Sequence, residues 1–495
     1  MSDVTEETTP RPTRKRRAFS VAQLMAERRR SVISFTVGLI VLLLVQIPAV
    51  EQSFLGAPDR QMLEMAFKLR GDLIHGAADP ILFLDIDDRT LSQLSPHPGS
   101  FAPPLQTTPR KLLANLLDFI RTAPPGQAPR AVVMDVDIGN PAPDGDAAVA
   151  SLLAALKAWS ASPSSPPLII VRESFTAATL GLDTPARILP DTPYDAVVQP
   201  APNIFWATPS VLGDMNGEIR EFVPFQCVLT SAGMKPLYSA ALVGYQFIER
   251  DPNILLHAPS RHWLQDGTAR CRNNPYQPLQ HGERIDFHFS MDHAFSTRAW
   301  PSVAADWPGY KTCHDTDSSI FMRLSAIDID SAFRAGGDVS RGLLCQHVVY
   351  IGGTNSSGAD FVQTPISEMN GAAVLANALR GLQLTHGGMR AIPLIWQVLL
   401  LLLVSLAMSA TSLVSSRARC RFRRLKRSTE KHGLRHRLEI NLLNPIVLNG
   451  MIALAAHGLG IALLLVSLNF GLWGFLSAPV FASAITETIQ EFADG

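Results

Sequence analysis

Apolar residues are segregated along this chain. Long uninterrupted apolar runs lie near both ends, and between them short apolar runs alternate with polar loops. The first long run, SVISFTVGLIVLLLVQIPAV at 31–50, carries no charge and is long enough to cross a hydrocarbon core of about 30 Å. The second, AIPLIWQVLLLLLVSLAMSATSL, covers 391–413. A third apolar stretch begins at Pro445 and is too long for one helix. Asn469-Phe470-Gly471 reads as a tight turn within it, so it divides into spans at 445–468 and 471–490. Four transmembrane helices are therefore expected, one before the central region and three after it.

The central pattern differs. ILFLDIDD at 81–88 is an apolar strand ending in carboxylates, and Pro109 opens a helix with Leu112, Leu113, Leu116, Leu117 and Ile120 on one face. AVVMDVDIG at 131–139 is a second strand with the same ending. A helix over 144–159 and a strand, LIIV at 168–171, follow. HVVYIGG at 347–353 is a late strand, and AAVLANALRGL at 372–382 a helix running toward the second span. Strands alternating with helices at this spacing predict an α/β domain with a mostly parallel, Rossmann-like sheet. The stretches 250–280 and 300–320 read as insertions on it. In such sheets ligands sit at the carboxyl ends of the strands, where Asp85, Asp87, Asp135 and Asp137 fall. The competing reading is that these aspartates cap helices and bond turn amides. Gly352 and Gly353 permit either a tight turn or close approach to a ligand.

Charge sets the orientation. Residues 1–30 hold eight Lys/Arg and residues 417–437 hold ten, leaving 25 basic against 34 acidic residues in 51–390. The positive-inside rule puts both basic blocks in the cytoplasm and the acidic region on the other side. The expected layout is a cytoplasmic segment 1–30, a span at 31–50, an extracytoplasmic domain over 51–390, a span at 391–413, a basic cytoplasmic loop over 414–444, and the last two spans. An acidic domain excludes nucleic acid as a partner. His457, inside the third span, reads as an imidazole bonded to a neighbouring helix or as a functional intramembrane group. No Gly-x-Gly-x-x-Gly follows the first strand, and no hydrolase elbow, zinc helix or Walker loop appears, so no enzyme activity, cofactor or metal is expected.

These segments together resemble the CHASE type 2 sensor domain, the extracytoplasmic part of many bacterial receptors. LFLDIDDRTLSQL (82–94), PRKLLANLLDFI (109–120), VVMDVDI (132–138), GDMNGEIREFVPF (213–225), ERIDFHFS (283–290) and VVYIGGTNSSGADFVQTP (348–365), with Asn370-Gly371 and Ala376-Asn377, carry the likeness. The resemblance implies one helix before the domain and three after it, and a bacterial inner-membrane location. It adds Asp360 to the candidate ligand residues. Such receptors usually continue into an output domain, and none is expected here before Gly495. Two functions remain open. One is a sensor that binds a small molecule or envelope component outside and signals through a separate membrane or cytoplasmic partner; the other is a scaffold subunit of an envelope complex. Cys227, Cys271, Cys313 and Cys345 lie in the external region and suggest two disulfides among three pairings, with Cys271–Cys313 favoured.

Overall fold

The computed structural model describes residues 21–45, 79–94, 108–124, 126–140, 142–176, 186–209, 211–213, 217–249, 267–273, 285–286, 321–335, 344–345, 347–354, 361–364, 368–385, 390–391, 393–399, 401–402 and 472–473. The chain divides into two compact units, one made of Gln61–Ala391 with Leu464–Trp473, the other of Met1–Arg60, Ile392–Leu463 and Gly474–Gly495.

The first unit is built on a six-stranded sheet. Its strands are β1 (Ile81–Asp85), β2 (Ala131–Asp135), β3 (Leu168–Val171), β6 (Ile204–Ala207), β12 (Phe321–Ser325) and β13 (Val348–Gly352), in the order β12-β1-β13-β2-β3-β6. Every pairing in it is parallel. The α/β class with a mostly parallel sheet is therefore as expected. Buried strands with both faces covered read as continuous apolar runs, which is why ILFLD, AVVMD and LIIV were legible. The order of strands was not. β13 lies between β1 and β2, so the two strands that the sequence suggests as neighbours are separated by the last strand of the sheet.

Side-chain alternation splits the strand residues between two cores. Leu82, Leu84, Val132, Met134, Leu168, Ile170, Val349 and Ile351 pack under α2 (Asp88–Leu94), α3 (Arg110–Arg121), α4 (Asp146–Ala161), α5 (Asp195–Val198) and α7 (Ala326–Arg334). Ile81, Phe83, Val133, Ile169, Val348 and Tyr350 pack under α6 (Ala240–Ile248) and α8 (Gly371–Leu384). Each fully buried Leu, Ile or Phe contributes about 1.5–3 kcal/mol. A second sheet, β10-β9-β5-β4, joins β4 (Phe175–Thr176), β5 (Arg187–Ile188), β9 (Phe225–Thr230) and β10 (Gly233–Tyr238). It was not anticipated, since β4 and β5 are two residues long and β9 and β10 are only half-buried. Two smaller sheets are formed by β7 (Val211–Gly213), β8 (Ile219–Phe222) and β11 (Ile285–Asp286), and by β14 (Phe361–Gln363) and β15 (Glu368–Asn370).

Cys227 on β9 is bonded to Cys271, with Cα atoms 5.3 Å apart. This corrects the expected Cys271–Cys313 pairing. The helical segment at 267–273 lies against the β9–β10 hairpin, so close that a Cβ on Gly267 would sit 3.1 Å from the Tyr238 ring and 3.3 Å from Phe225. That packing brings Cys271 to Cys227. Cys345 is also disulfide-bonded, to a partner outside the described residues.

Of the expected spans, residues 21–45 form one helix, α1 (Val21–Val45), which includes the start of the first apolar run. Residues 394–399 and 401–402 are helical. Among the described residues no helix is long and apolar enough to cross a membrane. The third span and His457 lie outside the described residues. Leu472–Trp473, at the start of the fourth expected span, form a short strand β17 that pairs in parallel with β16 (Arg390–Ala391).

Candidate functional site

Asp85 ends β1, and alternation puts it on the same face as Ile81 and Phe83. Its register partners are Ser325 on β12 and Gly352 on β13. Arg323, two residues before Ser325, lies on the same face and donates its Nε to Asp85 Oδ2 at 2.6 Å, forming a charge pair with the buried carboxylate. The chain then leaves β13 through Gly353, and Thr354 folds back over the strand end. Its backbone N–H donates to Asp85 Oδ1 at 3.0 Å, and its hydroxyl lies 2.8 and 2.7 Å from the two carboxylate oxygens. Asp85 is 1% exposed. Burial pushes its carboxyl above the usual range, and Arg323 and Thr354 oppose that push. Asp85 therefore spends its hydrogen-bonding capacity on the protein. Its role is to clamp β12 and the loop after β13 to the end of β1.

Asp87 does what the competing reading foresaw. It accepts from the Thr90 amide at 2.7 Å, the Thr90 hydroxyl at 2.6 Å and the Ser325 hydroxyl at 3.1 Å, satisfying the first turn of α2. Asp137 accepts from the Gly139 amide at 2.8 Å in a turn. Asp135 ends β2 opposite Gly352 and is half-buried. Burial pushes the Tyr350 hydroxyl well above its ordinary range, and the Asp135 charge adds to that push. Gly352 is a packing position. A Cβ there would sit 3.0 Å from the Ala372 Cβ on α8 and 3.5 Å from the Asp135 Cβ. Only the lack of a side chain lets α8 approach the sheet this closely. Asp360 lies outside the described residues. The carboxyl edge thus gathers Asp85, Asp87, Asp135, Gly352 and Gly353, while Asp137 sits one turn further along the loop after β2.

Sequence reading missed four participants. Arg323 and Thr354 complete the Asp85 clamp; the signal for Arg323 was a lone cation inside an apolar strand, FMRLS. Arg110 is 1% exposed and donates to the carbonyls of Thr108 and Asn140 at 2.9 and 2.7 Å, pinning the loop after β2 to the start of α3. Asp144 caps that helix, accepting from the amides of Arg110 at 3.0 Å and Lys111 at 2.9 Å. Its signal was an Asp in a Pro-Gly-rich loop, but its helix lies 34 residues back in the chain.

Beside this cap is a cavity of about 250 Å³, lined by Leu94, Pro109, Leu112 and Pro143 and by Lys111, Asn115, Asp144, Asp330 and Arg334. Asp330 is buried, accepts from Asn115 Nδ2 at 2.7 Å and pairs with Arg334 one turn on. Among the described residues no group of His, Cys, Asp and Glu is placed to hold a metal ion.

A family model for the CHASE2 domain matches residues 36–411. Comparison with curated proteins and with solved structures gives no match.

Proposed function

From the premise that the chain belongs to the CHASE2 family of sensor domains, we propose that it is a membrane-anchored extracytoplasmic sensor that signals through a separate partner. The observation that carries this reading is the extent of the match. It begins inside the first apolar run, at residue 36, and ends inside the second, at 411, so the family unit includes both apolar segments flanking the α/β domain.

Exposed apolar side chains support the anchoring. On α1, Val32 is 57% exposed, Ile40 52% and Leu43 48%; after the domain, Ile395 is 63% exposed and Trp396 62%. Clustered apolar exposure of this kind marks an apolar surround rather than water. The pairing of Arg390–Ala391 with Leu472–Trp473 agrees with the expected topology. With four spans, the turn between the last two falls on the domain's side, beside the point where the second span begins. In this reading the cell is bacterial, both basic blocks face its cytoplasm, and the basic loop over 414–444 presents the signal to the partner.

The test is labelling of the full chain in intact cells with a membrane-impermeant maleimide. A cysteine introduced at exposed Gln93 should react at once, and Cys420 only after the membrane is permeabilised. The reverse pattern inverts the topology and ends the reading.

A further inference from the structure

The cavity beside α3 has a chemical bias that its lining groups define. We propose that it binds a small organic anion: a carboxylate with a short apolar body.

The argument is an inventory of donors and acceptors. Both carboxylates at the cavity already hold internal donors on each oxygen. Asp144 Oδ1 and Oδ2 take the Arg110 and Lys111 amides. Asp330 Oδ1 takes Asn115 Nδ2, and Oδ2 takes Arg334 Nη2. The donors are not used up. The Lys111 ammonium has no hydrogen-bond or ion-pair partner among the described residues. Arg334 engages Asp330 through Nη2, which leaves the other N–H donors of its guanidinium for a further acceptor. Asp330 is 2% exposed, so it is a fixed post that ties the half-exposed Arg334 side chain to the cavity wall. A ligand completing this set must accept hydrogen bonds and carry negative charge.

The remaining lining decides what else the ligand has. Leu94, Leu112, Pro109 and Pro143 offer no polar side-chain atom, so the part lying on them is apolar. About 250 Å³ admits a molecule of a few heavy atoms and excludes a nucleotide or a peptide. The place suits the fold. α3 begins near the carboxyl edge of the parallel sheet, where α/β domains commonly hold ligands.

This inference rests on the sensor reading, for which it names the ligand class. The probe is pentanoate, titrated calorimetrically against the full chain purified in mild detergent. Saturable binding is expected, weakened roughly tenfold or more by Lys111→Gln and restored by Lys111→Arg. Arg334→Gln should weaken it too. Lys111 is exposed, so its variants keep the fold, and a matching thermal unfolding profile checks this. Pentylamine binding as tightly as pentanoate would overturn the charge assignment. Inorganic phosphate binding as tightly would overturn the apolar assignment. No pentanoate binding while the labelling pattern above holds would sink the ligand class and leave the topology standing.

Discussion

The two edges of the parallel sheet are finished differently. At the carboxyl edge the Asp85 carboxylate is fully engaged: it holds Arg323, the Thr354 amide and the Thr354 hydroxyl at once. At the amino edge the account does not close. Asp79, just before β1, accepts from Arg130 at 3.1 Å and Gln383 at 3.2 Å. Arg380, one turn before Gln383 on α8, is 1% exposed, yet among the described residues its Nε and Nη1 have no hydrogen-bond partner, and neither does Gln383 Oε1. Burial lowers the Arg380 guanidinium to about 10 while the Asp79 charge opposes the shift. The unsettled edge is the one where the chain enters the sheet and where α8 leads on toward 391–413. The contrast is between two buried charges: each Asp85 oxygen has a partner, whereas Arg380 leaves two nitrogens without one among the described residues.

The largest test of this contrast is Asp85→Ala. It strands the half-buried Arg323 beside an emptied acceptor and frees the Thr354 loop, so urea unfolding should show a loss of about 3–5 kcal/mol. A loss below about 1 kcal/mol would mean that the clamp carries no load and that the edges are alike. Next is Gly352→Ala. Its new Cβ meets the Ala372 Cβ at 3.0 Å, and both atoms are fixed to backbone, so α8 must shift outward. A cost of about 1–3 kcal/mol is expected by the same measurement. An unchanged midpoint would show that α8 has slack at its first turn.

How far the sequence disclosed this depends on the kind of residue. The strands were legible because burial on both faces writes an apolar run into a handful of adjacent positions. The helices at Arg110–Arg121, Asp146–Ala161 and Gly371–Leu384 lie within two residues of the expected ranges. The strand order left no trace, because parallel pairing joins segments far apart in sequence; β1 pairs with β12 across more than two hundred residues. Among the carboxylates, the pattern Asp-Ile-Asp-Asp could not say which residue is a clamp and which a cap. Asp85 and Asp87 are two residues apart, but β1 ends at Asp85, so the first faces Arg323 from the strand and the second, past the strand end, caps α2 at Thr90. Nothing in AAVLANALRGL marks Arg380 as buried; only the packing of α8 on the sheet does.

Arg380→Met tests the amino edge with the opposite sign. Methionine keeps the volume and removes a charge whose Nε and Nη1 lack hydrogen bonds among the described residues, while Asp79 keeps Arg130 and Gln383. A gain of about 1–2 kcal/mol in urea unfolding is expected. A loss would show that the Arg380–Asp79 attraction outweighs desolvation, and the contrast between the edges would disappear.

The smallest effect is a response to pH, and it separates the edges by sign. Burial at the amino edge lowers the pKa of His347, whose Nδ1 lies 2.8 Å from the Cys345 carbonyl. The unfolded chain then binds the proton more readily than the folded one. The contribution of His347 is whole above its unfolded value of about 6.5 and is lost as pH falls toward the folded value. Asp85 runs the other way. Its folded pKa is raised, so its contribution is present in acid and is lost as pH climbs through the folded value. Asp79 is also raised and shifts with Asp85, so the amino edge carries both signs and His347 must be isolated by difference. The measurement is the urea midpoint of the full chain and of His347→Gln at pH 7.5 and at pH 5. Acidification should cost the native chain more than the variant. Equal losses would mean that the imidazole is protonated in the folded state, and that the amino edge stores its strain in Arg380 and Gln383 alone.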